Sequence, residues 1–397
     1  MKRAIVLSGG GAKGAYQIGV WKALKKLKID YSIVTGTSVG ALNGAFFVQK
    51  DYLKAVHMWY HMSFAHVFEH MDGDYHTLEG KKNILLTYAK GILNGGMNIS
   101  RLEKTLEKYL NVKRFYHSPI DFGLITVNVT DMKPVSICKK DINPQDLKDY
   151  LIASASCFPA FPIKEIHGKK YIDGGYYDNI PIHLALDLGA DEIIAVDLKA
   201  IGLKKKVKDR SVPITYITPR CDLGSFLVFD KTLARRAMRL GYLDTLKIFH
   251  KLEGNSYTFY CGEIEKLTHK YFEPFYQLLD LKQQEYIKHK SKNLEMFVLE
   301  IMEFLGKSFS LPEDRIYSAR KFYYLLKKKF KKTKLLDLQS IKEDLKRSET
   351  DNYMGIALKH WCQLKDHREE IGKKFHFLPM MKIAASYLEY VMNSKIS

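Results

Sequence analysis

The first 200 residues alternate short apolar runs with longer stretches whose apolar positions recur every three or four residues. Runs of the first kind predict buried strands, and stretches of the second kind predict amphipathic helices. The predicted strands cover residues 3–7, 32–35, 122–129, 134–137, 170–172 and 192–196, and the predicted helices cover residues 14–27, 39–49 and 146–156 and begin again at 182. This alternation favours an α/β fold with a mostly parallel sheet covered on both faces.

The rest of the chain departs from this alternation. A mostly helical insertion is expected over about residues 50–115. Beyond residue 200 the predicted elements are strands at 212–218 and 256–260 and a helix at 229–252. From residue 267 the pattern is almost wholly helical and rich in lysine, with a break at 307–312. We therefore expect a first domain of residues 1–266 and a basic, mainly helical C-terminal domain of residues 267–397.

Ser38 lies at the centre of a Gly-x-Ser-x-Gly pentapeptide that joins the second predicted strand to a helix-forming run. Gly36 and Gly40 remove side chains on both sides of a tight bend, which would expose the serine hydroxyl at the carboxyl end of the strand. The following helix directs the N–H groups of its first turn at the same place. Ser38 is therefore a candidate nucleophile, and the alternative is an ordinary glycine-rich turn.

A glycine loop, residues 9–14 (GGGAKG), follows the first predicted strand. Successive glycine N–H groups can converge on a phosphate or on the oxyanion that forms when an ester carbonyl is attacked. A dinucleotide site would need an acidic residue at the end of the second strand, but Asp30 precedes that strand. A Walker A loop would need a Ser or Thr after Gly-Lys, which is absent here. Nucleotide binding is therefore disfavoured.

Asp173 opens an Asp-Gly-Gly turn after the predicted strand at 170–172. Taken alone, this tripeptide is typical of a hairpin tip. Beside Ser38 it becomes a candidate general base, because a carboxylate shielded from water can accept the serine proton if its pKa rises toward neutrality. Asp178, five residues on, is either a carboxylate that orders the loop or a competing candidate for the base.

Two further segments accompany these motifs in a fixed order. Residues 153–162 (ASASCFPAFP) match the pattern Ala-Ser-x-x-x-Pro-x-x-Phe-Pro, and residues 178–181 read Asp-Asn-x-Pro. With the glycine loop, the pentapeptide and the Asp-Gly-Gly turn, these segments resemble the patatin-like phospholipases of the bacterial type. The resemblance covers about the first 200 residues, and four ordered motifs, supplemented by the Asp-Asn-x-Pro match, make it specific.

The resemblance implies a three-layer sandwich and a serine hydrolase of lipid acyl esters, of the phospholipase A or lysophospholipase type. It implies that Ser38 is the nucleophile and Asp173 its base, without a histidine, and that no cofactor or metal takes part. The residues implied for the oxyanion hole are Gly9, Gly10 and Gly11, and the supporting residues are Lys13, Gly14, Gly36, Gly40, Gly174 and Gly175.

The histidines agree with a dyad that lacks histidine, because none of the 14 lies in the four motifs. His57 and His61 are four residues apart, as are His66 and His70, so each pair can share a helix face. That spacing can bind a metal, but without a carboxylate signature an amphipathic helix is the favoured interpretation. His167 lies in a polar turn and is expected to be exposed.

Cysteine usage and apolar run length point to a cytoplasmic protein. Five scattered cysteines are typical of reduced thiols. The apolar runs fall far short of the roughly 20 residues that span a bilayer, and no signal peptide is recognised.

The net charge of +19 is uneven, with a balance of +5 in residues 1–200 and +14 in residues 201–397. The densest cluster, residues 327–334, follows an aromatic run and suits either an anionic membrane surface or nucleic acid, while a solvated helix face is an equally good explanation. We expect peripheral contact with the inner face of a membrane and no nucleic-acid partner. The alternatives are an acyltransferase or thioesterase with the same pair, or a lipid- or nucleic-acid-binding protein dominated by its basic domain.

Overall fold

The apolar runs of the first half of the chain form one sheet in the computed structural model, which describes residues 1–69, 77–207, 211–335 and 353–394. These residues divide into two compact units, Met1–Ile248 and Phe249–Ser397. The sequence pattern placed the domain boundary after residue 266, and that division stays a prediction.

The first unit contains a mixed sheet and the helices around it. Its strands are β1 (Arg3–Leu7), β2 (Ile33–Thr37), β3 (Asp121–Asn128), β4 (Lys133–Cys138), β5 (Lys164–Ile166), β6 (Lys169–Asp173), β7 (Glu192–Val196) and β8 (Ile214–Ile217). Its helices are α1 (Ala15–Lys26), α2 (Val39–Val48), α3 (Tyr52–His61), α4 (Leu78–Leu93), α5 (Ser100–Tyr109), α6 (Val112–His117), α7 (Leu147–Ser154), α8 (Ile182–Asp187) and α9 (Lys231–Ile248).

The strand order is β5-β6-β3-β2-β1-β7-β8, and β4 pairs with β3. The pairs β3–β2, β2–β1, β1–β7 and β7–β8 are parallel, whereas β4, β5 and β6 add antiparallel pairs at one side. The predicted fold class, a mostly parallel sheet flanked by helices, is confirmed.

Helices cover the sheet on both faces. Ala4, Val6 and Ile33 pack with residues of α8 on one face. On the other face, Val34 and Phe122 lie close to Gly44 of α2. Because both faces of the central strands are buried, these strands are continuously apolar rather than alternating.

The second unit is mainly helical and has its own core. Its helices are α10 (Glu263–Leu267), α11 (Glu273–Tyr276), α12 (Leu281–Lys290), α13 (Leu294–Ser308), α14 (Ala319–Lys332), α15 (Tyr353–Gln363), α16 (Arg368–Lys374) and α17 (Pro379–Asn393). Aromatic side chains dominate the core, among them Tyr257, Phe272, Phe322 and Tyr387. A small sheet contains β9 (Glu253–Gly254), β10 (Thr258–Phe259) and β11 (Ile316–Tyr317). Only β10 lies in a predicted strand, because the segments of β9 and β11 carry too little periodicity to be recognised.

Candidate active site

Ser38 forms the turn between β2 and α2 in a strained conformation. Its φ is 57° and its ψ is −129°, which L-residues rarely adopt. The turn is tight, since a side chain at Gly40 would overlap the carbonyl of Leu7, and one at Gly36 would overlap Gly40 itself. The two glycines of the pentapeptide are therefore required by close backbone approach, and they leave the serine at the end of the strand.

A buried serine that sequence reasoning gave no role fixes this turn. The N–H of Ser38 donates to the Oγ of Ser154 over 2.9 Å. The Ser154 hydroxyl in turn donates to the carbonyl of Ile125 over 2.7 Å. Ser154 is thus a bridge between the turn and β3. Its place in the Ala-Ser segment was the available signal, but the contact itself depends on tertiary structure.

Asp173 lies beside Ser38 because the strands that lead to them, β6 and β2, both pair with β3. Thr37, the last residue of β2, pairs with Ile125 of β3. Asp173, the last residue of β6, pairs with Thr126, the next residue of β3. The two strands approach from opposite directions and end at neighbouring positions, so the residues that end or follow them share one corner.

The carboxyl of Asp173 is buried and held by the turn that follows it. Its Oδ1 accepts a hydrogen bond of 2.6 Å from the N–H of Gly175. Burial raises the pKa of Asp173 to about 6, while hydrogen bonds from the hydroxyl of Ser38 and the N–H of Gly175 oppose that rise. A carboxyl with this pKa is ionised at neutral pH and is a stronger proton acceptor than an exposed aspartate.

Asp178 faces the loop rather than the serine. Its Oδ1 accepts from the N–H of Ile180 over 3.2 Å, and its carbonyl accepts from the hydroxyl of Thr37 over 2.8 Å. Burial raises the pKa of Asp178, and the N–H of Ile180 and nearby Lys205 lower it. The geometry favours the first of the two alternatives for this residue, a carboxylate that orders the loop.

The glycine loop presents two backbone donors beside the serine. Among the described residues, the N–H groups of Gly10 and Gly11 donate to no protein acceptor, whereas the N–H of Gly9 donates to the carbonyl of Asn179. Gly11 has a φ of 53°, and a side chain there would overlap the carbonyl of Phe226. Gly10, Gly11 and Ser38 line the same cleft, but Lys13 does not.

This cleft has a volume of about 640 Å³ and is mostly apolar. Its floor carries Ser38 and Asp173, and its walls include Phe46, Trp59 and Met62. A volume in this range is typical of sites for small organic ligands, and the scarcity of polar groups suits hydrocarbon.

Residues 5–186 match the family model "Patatin-like phospholipase". Over this segment, the chain is similar to the patatin-like phospholipases. The chain is 30% identical over 204 residues to "Lysophospholipase nte1" of Aspergillus terreus, covering 50% of this chain and 12% of that protein. It is 27% identical over 198 residues to "Patatin-like phospholipase domain-containing protein 7" of Mus musculus, covering 49% of this chain and 13% of that protein.

The chain therefore spans only a small part of the length of these relatives. Among solved structures, VipD from Legionella pneumophila matches all of this chain and 92% of its own, with a TM-score of 0.35 and 14% identity.

Buried amides hold the glycine loop of the patatin-like segment against its helices. Trp59 donates through Nε1 to the Oδ1 of Asn43 over 2.8 Å. Asn43 donates to the carbonyl of Gly14 over 3.0 Å and to the Oε1 of Gln17 over 2.8 Å, and Gln17 donates to the carbonyl of Ser8. This series of hydrogen bonds fixes both ends of the glycine loop, and no pattern in the sequence predicted it.

Among the residues that the structure describes, no histidine lines the cleft. His57, His61 and His66 line a separate cavity, while His70 lies outside the described residues. His167 is exposed, as expected, and its Nε2 lies 3.0 Å from the carboxyl of Asp146. Within the described ranges, no three His, Cys, Asp or Glu side chains are arranged to hold a metal ion.

None of the described helices has the length and apolar character needed to cross a membrane.

Proposed function

We propose that this protein is a serine hydrolase of lipid acyl esters, of the phospholipase A or lysophospholipase type, with Ser38 and Asp173 as its catalytic pair. The observation that carries the proposal is the meeting of a strained serine and a buried carboxyl on the floor of an apolar cleft. The match of residues 5–186 to the patatin-like phospholipase model supports it independently.

In the proposed first step, the Oγ of Ser38 attacks the acyl carbonyl while Asp173 accepts its proton. The carbonyl oxygen becomes an oxyanion that accepts hydrogen bonds from the N–H groups of Gly10 and Gly11. Collapse of the tetrahedral species breaks the ester bond, and the departing alkoxide takes the proton from Asp173. A fatty acyl ester on Ser38 remains.

In the second step, water attacks this acyl ester and Asp173 accepts a proton from the water. The oxyanion that forms in this step accepts hydrogen bonds from the same two N–H groups. Its collapse releases the fatty acid, and the proton returns from Asp173 to Ser38. The apolar walls hold the acyl chain throughout, which supplies binding energy remote from the reacting atoms.

The nucleophile is tested by labelling with a fluorophosphonate, which forms a P–O bond to an activated serine with loss of fluoride. We expect labelling of wild type at Ser38, found by peptide mass spectrometry. Ser38→Ala should lose the label, and release of fatty acid from lysophospholipid micelles should fall by at least about 10³-fold.

The matched control is Ser100→Ala, since Ser100 begins α5 and does not line the cleft. This control should label and hydrolyse as wild type does. Labelling at a serine other than Ser38, or undiminished hydrolysis by Ser38→Ala, would contradict the proposal.

Contact with a lipid surface is part of the same proposal. Several apolar side chains line the cleft and are also exposed to solvent, with Ile201 88% and Leu203 63% exposed. Ile92, Phe158 and Tyr176 add to this rim at the mouth of the cleft. Exposed apolar groups around an apolar cleft are typical of surfaces that meet a membrane.

A further inference from the structure

A second cavity of about 680 Å³ lies behind one wall of the apolar cleft. Met58 of α3 and Thr105 of α5 line both spaces, so the same two helices separate them. The second cavity differs sharply in chemistry, because seven of the twelve described residues that line it are histidine, lysine or arginine. The lining cations and imidazoles are His57, His61, His66, Lys104, Lys108 and Lys231, together with Arg235.

Asp230 is the one carboxylate among the described residues that line this cavity, against four lysine and arginine side chains. Glu103 and Glu107, on the same helix as the two lysines of α5, are engaged elsewhere: Glu107 pairs with Lys148 at 2.6 Å and Glu103 with Lys164 at 3.0 Å. The carboxyl of Asp230, which also lines the cavity, accepts from the N–H groups at the start of α9.

Several of the lining groups are held in place. The Nδ1 of His61 donates to the carbonyl of His57 over 2.9 Å, and the Nδ1 of His57 lies 2.9 Å from the hydroxyl of Tyr109. Arg235 donates through Nε to the carbonyl of Tyr60 over 3.0 Å, and its guanidinium stacks 3.8 Å over that tyrosine's ring. These contacts reduce the entropy that an anion would have to remove on binding.

The field of the cavity is positive. Partial burial lowers the pKa of His66, and the positive charges of His61, Lys108 and Arg101 lower it further. Four permanent cations with imidazole nitrogens beside them match a group that carries two negative charges and several acceptor oxygens.

We propose that this cavity binds a phosphate monoester, and specifically the phosphorylated head group of a lipid. The shared wall with the apolar cleft favours a lipid as the source over a free phosphorylated metabolite. The cavity is roomy enough for a head group, and its four cations converge from two helices, α5 and α9, which suits a compact dianion better than an extended polyanion.

The test is calorimetric titration of the full chain with glycerol 3-phosphate, a soluble head group that needs no turnover. Wild type should bind it, and Lys104→Ala with Lys108→Ala should weaken binding at least about tenfold, since two charge-assisted contacts are lost. Lys231→Ala, on a different helix, should weaken it in the same direction. The control, Lys82→Ala with Lys113→Ala, removes two exposed lysines outside the cavity and should bind as wild type does.

A second arm identifies the source of the phosphate. Vesicles of a zwitterionic lipid that carry phosphatidic acid should retain wild type more than the same vesicles carrying an equal charge of fatty acid, and glycerol 3-phosphate should compete. Preference for the vesicle-borne phosphate supports a lipid head group. Binding of glycerol 3-phosphate without any vesicle preference would overturn the lipid assignment.

Equal affinity of wild type and the cavity variants for glycerol 3-phosphate would overturn the site itself. Because Ser38→Ala can be titrated in the same way, failure of this proposal and failure of the proposed hydrolase activity are separate results.

Discussion

Asp173 shows how a single residue connects stability with chemistry. Its carboxyl is 4% exposed, and its pKa is about 6 because burial penalises the ionised form. The unfolded chain would have the ordinary value of 3.8. When such a buried carboxyl is ionised, the folded state is less stable. The same burial gives the carboxyl the basicity that a proton acceptor requires.

Asp173→Asn is expected to abolish hydrolysis and to raise stability at neutral pH. Below about pH 4 the carboxyl is protonated in both the folded and the unfolded state, so it adds no difference in stability between the two proteins. Between about pH 4 and 6 the folded protein retains a proton that the unfolded chain releases, so wild type loses stability as the pH rises. Above pH 6 the full cost, on the order of 3 kcal/mol, is present in wild type and absent from the variant.

The measurement is thermal unfolding of both proteins at about pH 4 and about pH 8. The gap in Tm should open only at the higher pH, where the asparagine retains the bond from Gly175 without a buried charge. Asp30→Asn, an exposed residue, is the control and should show no such gap. A variant that is less stable than wild type at the higher pH would rule out this account of Asp173.

We expect the same carboxyl to set the pH dependence of hydrolysis. Only the ionised form accepts the serine proton, so kcat/KM should fall about tenfold per pH unit below about 6 and level off above it. Steady-state rates on a soluble ester between about pH 4.5 and 8 measure this profile. A rate that stays constant down to pH 4.5 would exclude Asp173 as the base.

At the scale of elements, the segment after β7 carries the most exposed part of the cleft's rim. Ile201 and Leu203 are held by a loop whose N–H at Leu203 donates to the carbonyl of Gly175 over 2.9 Å. The rim is therefore tied to the turn that holds Asp173, and the proposed lipid-facing surface and the proposed catalytic corner are built from the same loops.

Replacing Ile201 and Leu203 with aspartate should weaken association with vesicles. The change removes apolar side chains that would enter the interface and adds charges there. The ratio of the hydrolysis rate on vesicles to the rate on a monomeric short-chain ester should fall at least about tenfold. Leu53→Asp, an equally exposed residue outside the cleft, should leave that ratio at the wild-type value, and an equal fall in this control would refute a specific rim.

At the scale of the whole molecule, the uneven charge is the main feature. Most of the excess of positive charge lies in residues 201–397, and α14 of the second unit presents Arg320, Lys327, Lys328 and Lys331 along a small cavity. Attraction of such a surface to anionic lipid is strongly screened by salt, whereas insertion of apolar groups is not.

The fold class and the site candidates could be predicted from the sequence because both depend on local patterns. Apolar runs of four to eight residues identify strands by themselves, and a glycine on each side of Ser38 is required by a turn within five residues. The short strands β5 and β11 were not predicted, since two or three residues carry too little periodicity to be recognised.

The sequence by itself determined which residues are candidates for the chemistry, because motif spacing is a property of the local chain. Only the tertiary structure decided how they meet: Asp173 and Ser38 are 135 positions apart along the chain, and they share a corner because β2 and β6 end at adjacent residues of β3. It also decided that Ser154 holds the turn, that Asp178 faces the loop, and that burial raises the pKa of Asp173. Register and burial arise from contacts between distant segments, so no local pattern encodes them.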